Sequence, residues 1–479
     1  MASLAARGKT VGVIGGGFAG LTAALRLAQA GHRVTLWEKG RFGGQAATFE
    51  VAGTRLEIFY HHLFQSDTSI IALADELGVG DKLLWLPSNV GYFVDGKIYP
   101  LNGALDLLKL GCVPFVDRVR IGLVTAYLQR VKDWHKYERI TAHTWLSRAL
   151  GKRAYDKTLG AQLRAKFGSY YDKIPMVWFW GKIWLRTTSR RSPLDQEKLG
   201  YFDGSFQVIV DAMVEACERA GVEMRREGLR SIEPGEGGAW RVTSESGPVE
   251  GQFDALVATI PSNIFQRISP ALPDAYVASL DALEYEAAVV ALLELDRPLS
   301  SMYWLNVADA DLPFTGIIEH TNFIDPARYE DRRFVYLSKY MEPDHPYFGM
   351  DAEAIIEEYI PHLVKVNPDF HRGWIKNTWV HRERAAQPII PMRYSERIPD
   401  HRTPLKNLYL ANTTQIYPED RGTNYSVRLG NDIARLVTGD LREGDRDTPA
   451  AGTPTSARVS ESLSSQQLYR RNGPTPRSG

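Results

Sequence analysis

Short apolar runs broken by glycine frame both ends of the chain. Thr10 to Gly15 (TVGVIG) is apolar almost throughout, as suits a strand buried on both faces. Leu21 to Ala30 (LTAALRLAQA) is rich in good helix formers, Gly31 ends it, and Arg33 to Trp37 (RVTLW) makes a second strand. Gly200 to Gly221 reads as a loop followed by an amphipathic helix. Strands are predicted at Val222–Met224, Leu229–Glu233, Trp240–Thr243 and Phe253–Pro261. Near the other end Asn407–Ala411 (NLYLA) predicts a strand. Ser426–Val437 predicts a helix with the small residues Gly430 and Ala434 on one side. Between these blocks, residues 287–296, 302–307, 314–320, 333–340 and 374–381 read as strands and 352–364 as a helix, which fits a mixed or antiparallel sheet covered by helices. Leu105 to Val131 is the longest apolar candidate. Pro114, Asp117, Arg118 and Arg120 interrupt it, so it predicts one or two amphipathic helices and not a membrane span. After Gly439 the chain is dominated by Pro, Gly, Ser, Thr and charge, and residues 441–479 are expected to be disordered.

The first strand, turn and helix carry candidate chemistry. Gly15-Gly16-Gly17-Phe18-Ala19-Gly20 matches G-x-G-x-x-G, and Glu38 closes the second strand. In this arrangement Gly15 allows the tight turn, Gly17 lets a pyrophosphate approach the backbone, and Gly20 lets helix and strand pack closely. The helix N-terminus offers N–H groups and a positive dipole end to phosphates. Glu38 is placed to accept the adenosine ribose hydroxyls. An acid there disfavours a 2′-phosphate, which leaves FAD or NAD.

The next residues separate those two. Arg41-Phe42-Gly43-Gly44-Gln45-Ala46-Ala47-Thr48 resembles the R-x-G-G-R-x-x-S/T motif that follows the dinucleotide fold in the flavoprotein family of amine oxidases, protoporphyrinogen oxidases and phytoene desaturases. Gln45 departs from it, replacing the second arginine and removing one cation near the pyrophosphate. The resemblance implies FAD and an α/β fold: a Rossmann-like FAD-binding domain plus an inserted α+β substrate domain. It implies an FAD domain assembled from 1–62, 196–264 and 401–440, with 63–195 and 265–400 as the substrate domain. It also places the backbone near Leu229 at the adenine, Ala258 and Thr259 close to the dinucleotide, and the amides of Tyr425 and Ser426 at the flavin C2 carbonyl and N1. Lys39, Tyr60 and His61 complete the expected cofactor set of Gly15, Gly17, Phe18, Ala19, Gly20, Glu38, Gly43, Gly44, Gln45, Leu229, Thr259, Tyr425 and Ser426.

Phe59-Tyr60-His61-His62-Leu63-Phe64-Gln65 lies where the chain should leave the FAD domain. It partly resembles the Y-G-P-H-x-F-H-T motif of UDP-galactopyranose mutases. His62 matches their first histidine and Phe64 their phenylalanine, whereas Tyr60, His61 and Gln65 depart. His62 is the candidate catalytic residue. Neighbouring histidines point apart and no third ligand sits at helical spacing, so no metal site is expected.

Charge adds one further feature. The formal net charge is zero, which gives no global attraction to nucleic acid. From Arg139 to Arg191, however, twelve bases face two acids, with tryptophans, tyrosines and phenylalanines interleaved. Two readings stay open for that stretch: a solvated basic face, or a site for an anionic substrate or anionic lipid head groups. Cys112 and Cys217 form no framework, and a reducing, cytoplasmic setting is expected, with peripheral membrane contact left open. The implied activity is FAD-dependent oxidation of a small molecule by hydride transfer to flavin. Two alternatives remain: a redox-neutral flavoenzyme, such as a sugar mutase or double-bond isomerase, and a non-catalytic FAD-binding protein.

Overall fold

A computed structural model describes residues 8–51, 53–188 and 196–443. Five strands form one wholly parallel sheet in the order Glu223–Arg225, Arg33–Trp37, Thr10–Ile14, Ala255–Ala258 and Leu408–Leu410. The central strands are buried on both faces, which explains their unbroken apolar runs. The helix starts at Phe18, three residues earlier than its composition suggested, because the glycine turn itself supplies the N-cap at Gly17. The closing helix runs Thr423–Glu443, three residues into the expected tail. The rest of that tail lies outside the described residues. Gly430 is the contact point of this helix with Phe18–Gln29: a Cβ there would meet the Ala19 carbonyl oxygen and Thr22 Cβ, both at 2.6 Å.

A second sheet has seven strands in the order Ile375–Pro388, Tyr285–Leu295, Arg333–Met341, Gly316–Glu319, Trp304–Val307, Val90–Val94 and Lys97–Pro100. All pairings are antiparallel except that of Trp304–Val307 with Val90–Val94. Ile355, Ile356, Tyr359 and Leu363 of helix Ala352–Val366 are buried in the core beneath it. Strand Ile375–Pro388 is seven residues longer than expected at its C-terminal end. It is an edge strand, so its polar His381-Arg382-Glu383 stretch pairs with Tyr285–Leu295 without needing apolar side chains. The hairpin Val90–Pro100 joins the first insert to the sheet of the second, a long-range pairing that no local pattern reveals. Strands Leu63–Phe64 and Leu83–Pro87 of the first insert pair with Lys198–Phe202 in a third sheet, and its helices Phe115–Leu128, Ala142–Leu150, Leu159–Phe167 and Met176–Thr188 pack over Tyr137, Tyr155, Phe167, Phe179 and Trp180.

Among the buried carboxyls of the described residues, four are held protonated to unusually high pH. Burial pushes Glu57, Asp67 and Glu319 up to about 7 and Glu286 up to about 8. Burial also lowers the imidazoles of His61 and His381 to about 4 and of His62 and His320 to about 3. Below the ordinary histidine value of about 6.5 the two sets oppose each other, since the unfolded chain gains protons on histidine and the folded chain retains them on the carboxyls. From there to about pH 8 the histidines are neutral in both states, while the four carboxyls still hold protons mainly in the folded one. Stability is therefore expected to fall as pH rises through that window, by about 1 kcal/mol per carboxyl. Glu57 accepts hydrogen bonds from Phe206 N–H (2.8 Å) and Tyr201 Oη (2.9 Å), roles an amide oxygen can keep. Glu57→Gln should flatten the slope of melting temperature against pH there, and an unchanged slope would remove Glu57 from this account.

Candidate active site

The two glycine segments meet in space. Gly43 N–H donates to the Gly16 carbonyl at 2.9 Å, and Gly17 and Gly43 form a parallel bridge. Gly15 turns the chain at a φ of 107°, and a Cβ on Gly20 would stand 1.8 Å from the Gly15 carbonyl oxygen. Gly44, at a φ of 59°, would bring a Cβ within 3.1 Å of Gly17 Cα. A Cβ on Gly17, by contrast, would meet nothing nearer than Gly44 Cα at 3.8 Å. Protein packing therefore requires the bare backbone at 20 and 44, while position 17 is bare toward a cradle. Glu38 closes the cradle: it accepts Gly16 N–H at 2.7 Å and Gly40 N–H at 2.6 Å, one on each oxygen, and each oxygen keeps a further lone pair. Thr259 Oγ1 lies 3.0 and 3.1 Å from the carbonyl oxygens of Ile14 and Gly15, so it braces the turn from the neighbouring strand.

Other expected cofactor residues are placed as follows. Phe18, the first residue of the helix, is buried. Ala19 abuts Gly430. Lys39 turns to the surface and pairs with Glu245 at 2.9 Å. Leu229 pairs with Ser244 in a small antiparallel sheet apart from the parallel one. Gln45 Nε2 donates to the Ala385 carbonyl at 3.0 Å, so in place of a cation it ties the cradle to the second sheet. Tyr425 lies in the first turn of Thr423–Glu443 with Arg428 5.0 Å from its ring centre. Ser426 N–H donates to the Gly422 carbonyl at 3.0 Å, inside the helix ladder, because the helix begins three residues earlier than its sequence pattern indicated.

Tyr60, His61 and His62 lead away from the cradle into a polar cluster. Tyr60 Oη lies 3.3 Å from Ser338 Oγ and also reaches Tyr340, and its ring meets Trp304 edge-on at 5.0 Å. His61 Nδ1 is 2.6 Å from the Phe59 carbonyl, a contact within its own segment. His62 Nδ1 is 3.0 Å from Tyr303 Oη, and its ring packs edge-on against Phe64 at 5.3 Å and Trp304 at 5.6 Å. Burial, assisted by Arg186, His61 and Lys182, brings His62 down to about 3, so it is neutral at physiological pH.

The remaining members of the cluster come from three distant segments. Lys166 and Lys182 extend from the first insert, Tyr340 from the second sheet, and Asp420 and Arg421 from the loop before the closing helix. Lys166 Nζ lies 4.0 Å from the Tyr340 ring centre, and Arg421 Nη2 donates to Tyr340 Oη at 3.0 Å. Burial works to raise the Tyr340 phenol, but Lys166 and Arg421 outweigh it and hold the group below its ordinary value. Lys182 pairs with Asp420. Burial opposes the Asp420 charge, yet Lys182, Lys166 and Arg421 hold its carboxyl well below the usual range. Lys166 Nζ also donates to Gln387 at 3.0 Å, and Gln387 Nε2 to Glu286 at 2.6 Å. Arg421 Nε is buried with no protein partner, a donor left for a bound group. Tyr340 and Glu286 also line a cavity of about 640 Å³ that runs between the first insert and the second sheet.

A family model described as flavin containing amine oxidoreductase matches residues 18–418. The chain belongs to that family. The family is one of FAD-dependent oxidoreductases, and the residues present fit FAD: a bare backbone at Gly17 for the pyrophosphate and spare lone pairs on Glu38 for the ribose. A 15-cis-phytoene desaturase of Solanum lycopersicum is 26% identical over 318 residues, covering 61% of this chain and 53% of that protein. The chain thus spans about half the length of that relative. Two solved structures share the two-domain α/β fold. Cyclohexylamine oxidase from Brevibacterium oxydans superposes with a TM-score of 0.66 at 14% identity, covering 91% of this chain and 100% of that one. Reduced UDP-galactopyranose mutase does so with 0.69 at 16%, covering 90% and 94%.

The structure brings the two glycine segments named in the sequence together, and it adds Tyr340, Asp420 and Arg421, which sequence reasoning did not single out. The local signal for Asp420 and Arg421 was position alone, directly before the closing helix. Among the described residues no cluster of His, Cys, Asp and Glu could hold a metal ion.

Proposed function

We propose that the chain is an FAD-dependent oxidoreductase that takes hydride from a C–H bond of a small molecule bearing an anionic group. The observation that carries this reading is the meeting of Tyr60 with Lys166, Tyr340 and Arg421, from four separate chain segments, next to a cavity. Bound FAD would supply the hydride acceptor, later reoxidised by oxygen or another acceptor. The chain's own residues bind and orient. Arg421 Nε takes an oxygen of the anionic group, and Lys166 adds a second positive charge. Tyr60 and Trp304 wall the site with aromatic surface and exclude water. Neutral His62, anchored on Tyr303, orients the substrate or the flavin C4–N5 edge and does not shuttle protons at neutral pH. Tyr340, with its phenol held down by two cations, is the group suited to accept a proton.

The curated relatives include proteins named for phytoene and for monoamines. Three cations against one carboxylate make the cluster a poor host for an ammonium ion, which favours an anionic or amphipathic substrate over a monoamine. A redox-neutral rearrangement is the second reading, favoured by the retained contact of His62 with Phe64. The domain bounds expected from the sequence stand with this proposal, as does a cytoplasmic setting, which the free thiols of Cys112 and Cys217 fit.

The test is anaerobic mixing of the holoprotein with carboxylate- or phosphate-bearing substrates and with amines. Stoichiometric bleaching of the oxidised flavin by anionic compounds alone is expected. Bleaching by amines alone would overturn the substrate class. Turnover that requires pre-reduced flavin and leaves it reduced would establish the redox-neutral reading.

A further inference from the structure

Nine large apolar side chains are strongly exposed among the described residues, and seven of them fall between Leu105 and Tyr127. Helix Phe115–Leu128 presents Phe115, Val116, Val119, Leu123 and Tyr127 to solvent, with exposures from 39% to 73%, and buries Asp117, Ile121 and Leu128. At 3.6 residues per turn the exposed five share an arc of about 120° and the buried three lie opposite. The short helix Ala104–Leu108 packs against this one and exposes Leu105 and Leu108. Scattered apolar residues on a surface need no explanation, but a concentrated stripe of this kind marks an interaction surface.

Charge indicates what covers it. Residues 104–132 carry the bases Lys109, Arg118, Arg120, Arg130 and Lys132 against the acids Asp106 and Asp117. Both acids are engaged internally. Asp106 accepts Asn102 N–H at 2.9 Å, and Asp117 accepts Arg153 Nε at 2.7 Å. Arg118 and Arg120 fall on the two edges of the apolar arc. Each is held there by a carbonyl, Arg118 Nε on Val113 at 2.8 Å and Arg120 Nε on Ala149 at 2.7 Å. The result is an apolar stripe with a phenol at one end and fixed cations along its rims. That combination fits a surface with an acyl interior and a negatively charged head-group layer. No helix among the described residues is long and apolar enough to cross a membrane, so contact by this face would lie in the plane of the surface.

We propose that the exposed face of Phe115–Leu128, together with Leu105 and Leu108, docks the protein on an anionic lipid bilayer. The inference stands on this surface alone and does not depend on the substrate proposed above. The holoprotein should sediment with vesicles of phosphatidylcholine and phosphatidylserine, less with phosphatidylcholine alone, and the bound fraction should fall as salt rises. Val116→Glu with Leu123→Glu should reduce binding to anionic vesicles at least about tenfold, because each carboxylate must enter the head-group layer. Lys109→Gln with Lys132→Gln should weaken it by roughly fivefold per cation and flatten its salt dependence. These positions are exposed, so flavin absorbance and circular dichroism should stay at wild-type values in both variants. Failure of the wild type to sediment with anionic vesicles would overturn the proposal, as would unchanged binding by Val116→Glu/Leu123→Glu. A concentration-dependent dimer that Leu123→Glu dissociates, with no vesicle binding, would assign the face to a second copy of the chain instead.

Discussion

Gly17→Val is expected to fold normally and to purify without its yellow colour. The side chain would meet no protein atom nearer than 3.8 Å at its Cβ, and Gly17 has a φ of −75° that any residue adopts, so the fold has no quarrel with valine there. The branched methyls would instead fill the space through which the FAD pyrophosphate reaches the helix N-terminus. A loss of about 3 kcal/mol of contact weakens binding roughly a hundredfold. Gly20→Ala is the contrasting case. Its Cβ would lie 1.8 Å from the Gly15 carbonyl oxygen, so strand and helix must separate and the fold itself should suffer. Thermal melts and acid-released flavin distinguish the two. A Gly17→Val protein that keeps full FAD would show that the cradle does not hold the pyrophosphate.

Arg421→Gln should slow flavin reduction by about 10²-fold, the size expected when one positioned charge donor is lost from an enclosed site. It should also leave Tyr340 with one cation fewer, so that the pH at which the rate rises moves upward. His62→Ala is expected to slow reduction without moving that pH dependence, because an imidazole lowered to about 3 does not titrate in the working range. His61→Ala should do less than either, since its Nδ1 contact is made with its own segment.

The legible and illegible parts of this protein differ in the range of the interactions that define them. Strand, glycine turn, helix, strand and Glu38 occupy fewer than thirty consecutive residues, from Thr10 to Glu38. Their chemistry is local, so the cofactor could be read before the fold. The meeting of Gly17 with Gly43 and Gly44 was also implied, since both segments had to serve one ligand. By contrast Arg421 reaches Tyr340 across 81 positions of sequence, and Gln45 reaches Ala385 across 340. No periodicity marks such contacts. The basic insert shows the same limit. Read as composition it left two readings open, a solvated basic face or an anion site, and the fold divides its members: Lys157 pairs with Asp95, Arg153 with Asp117 and Lys182 with Asp420, while Lys166 turns inward to Tyr340. Arg190 and Arg191 lie outside the described residues. The helix before Glu443 was legible from its small residues, but its start was not. Gly422 and Thr423 carry no strong start signal of their own, and the three-residue difference is what spends the Ser426 amide.

The central claim is that a site for an anionic group lies against the flavin and that Arg421 belongs to it. The most direct measurement is the absorbance spectrum of the oxidised holoprotein during titration with simple carboxylates and phosphates, in the wild type and in Arg421→Gln. A saturable shift of the flavin bands that weakens with salt in the wild type, and is lost in Arg421→Gln with FAD still bound, is the predicted result. An equal shift in both proteins, or loss of FAD itself from Arg421→Gln, would contradict the claim, the latter by showing that Arg421 serves the cofactor and not the substrate.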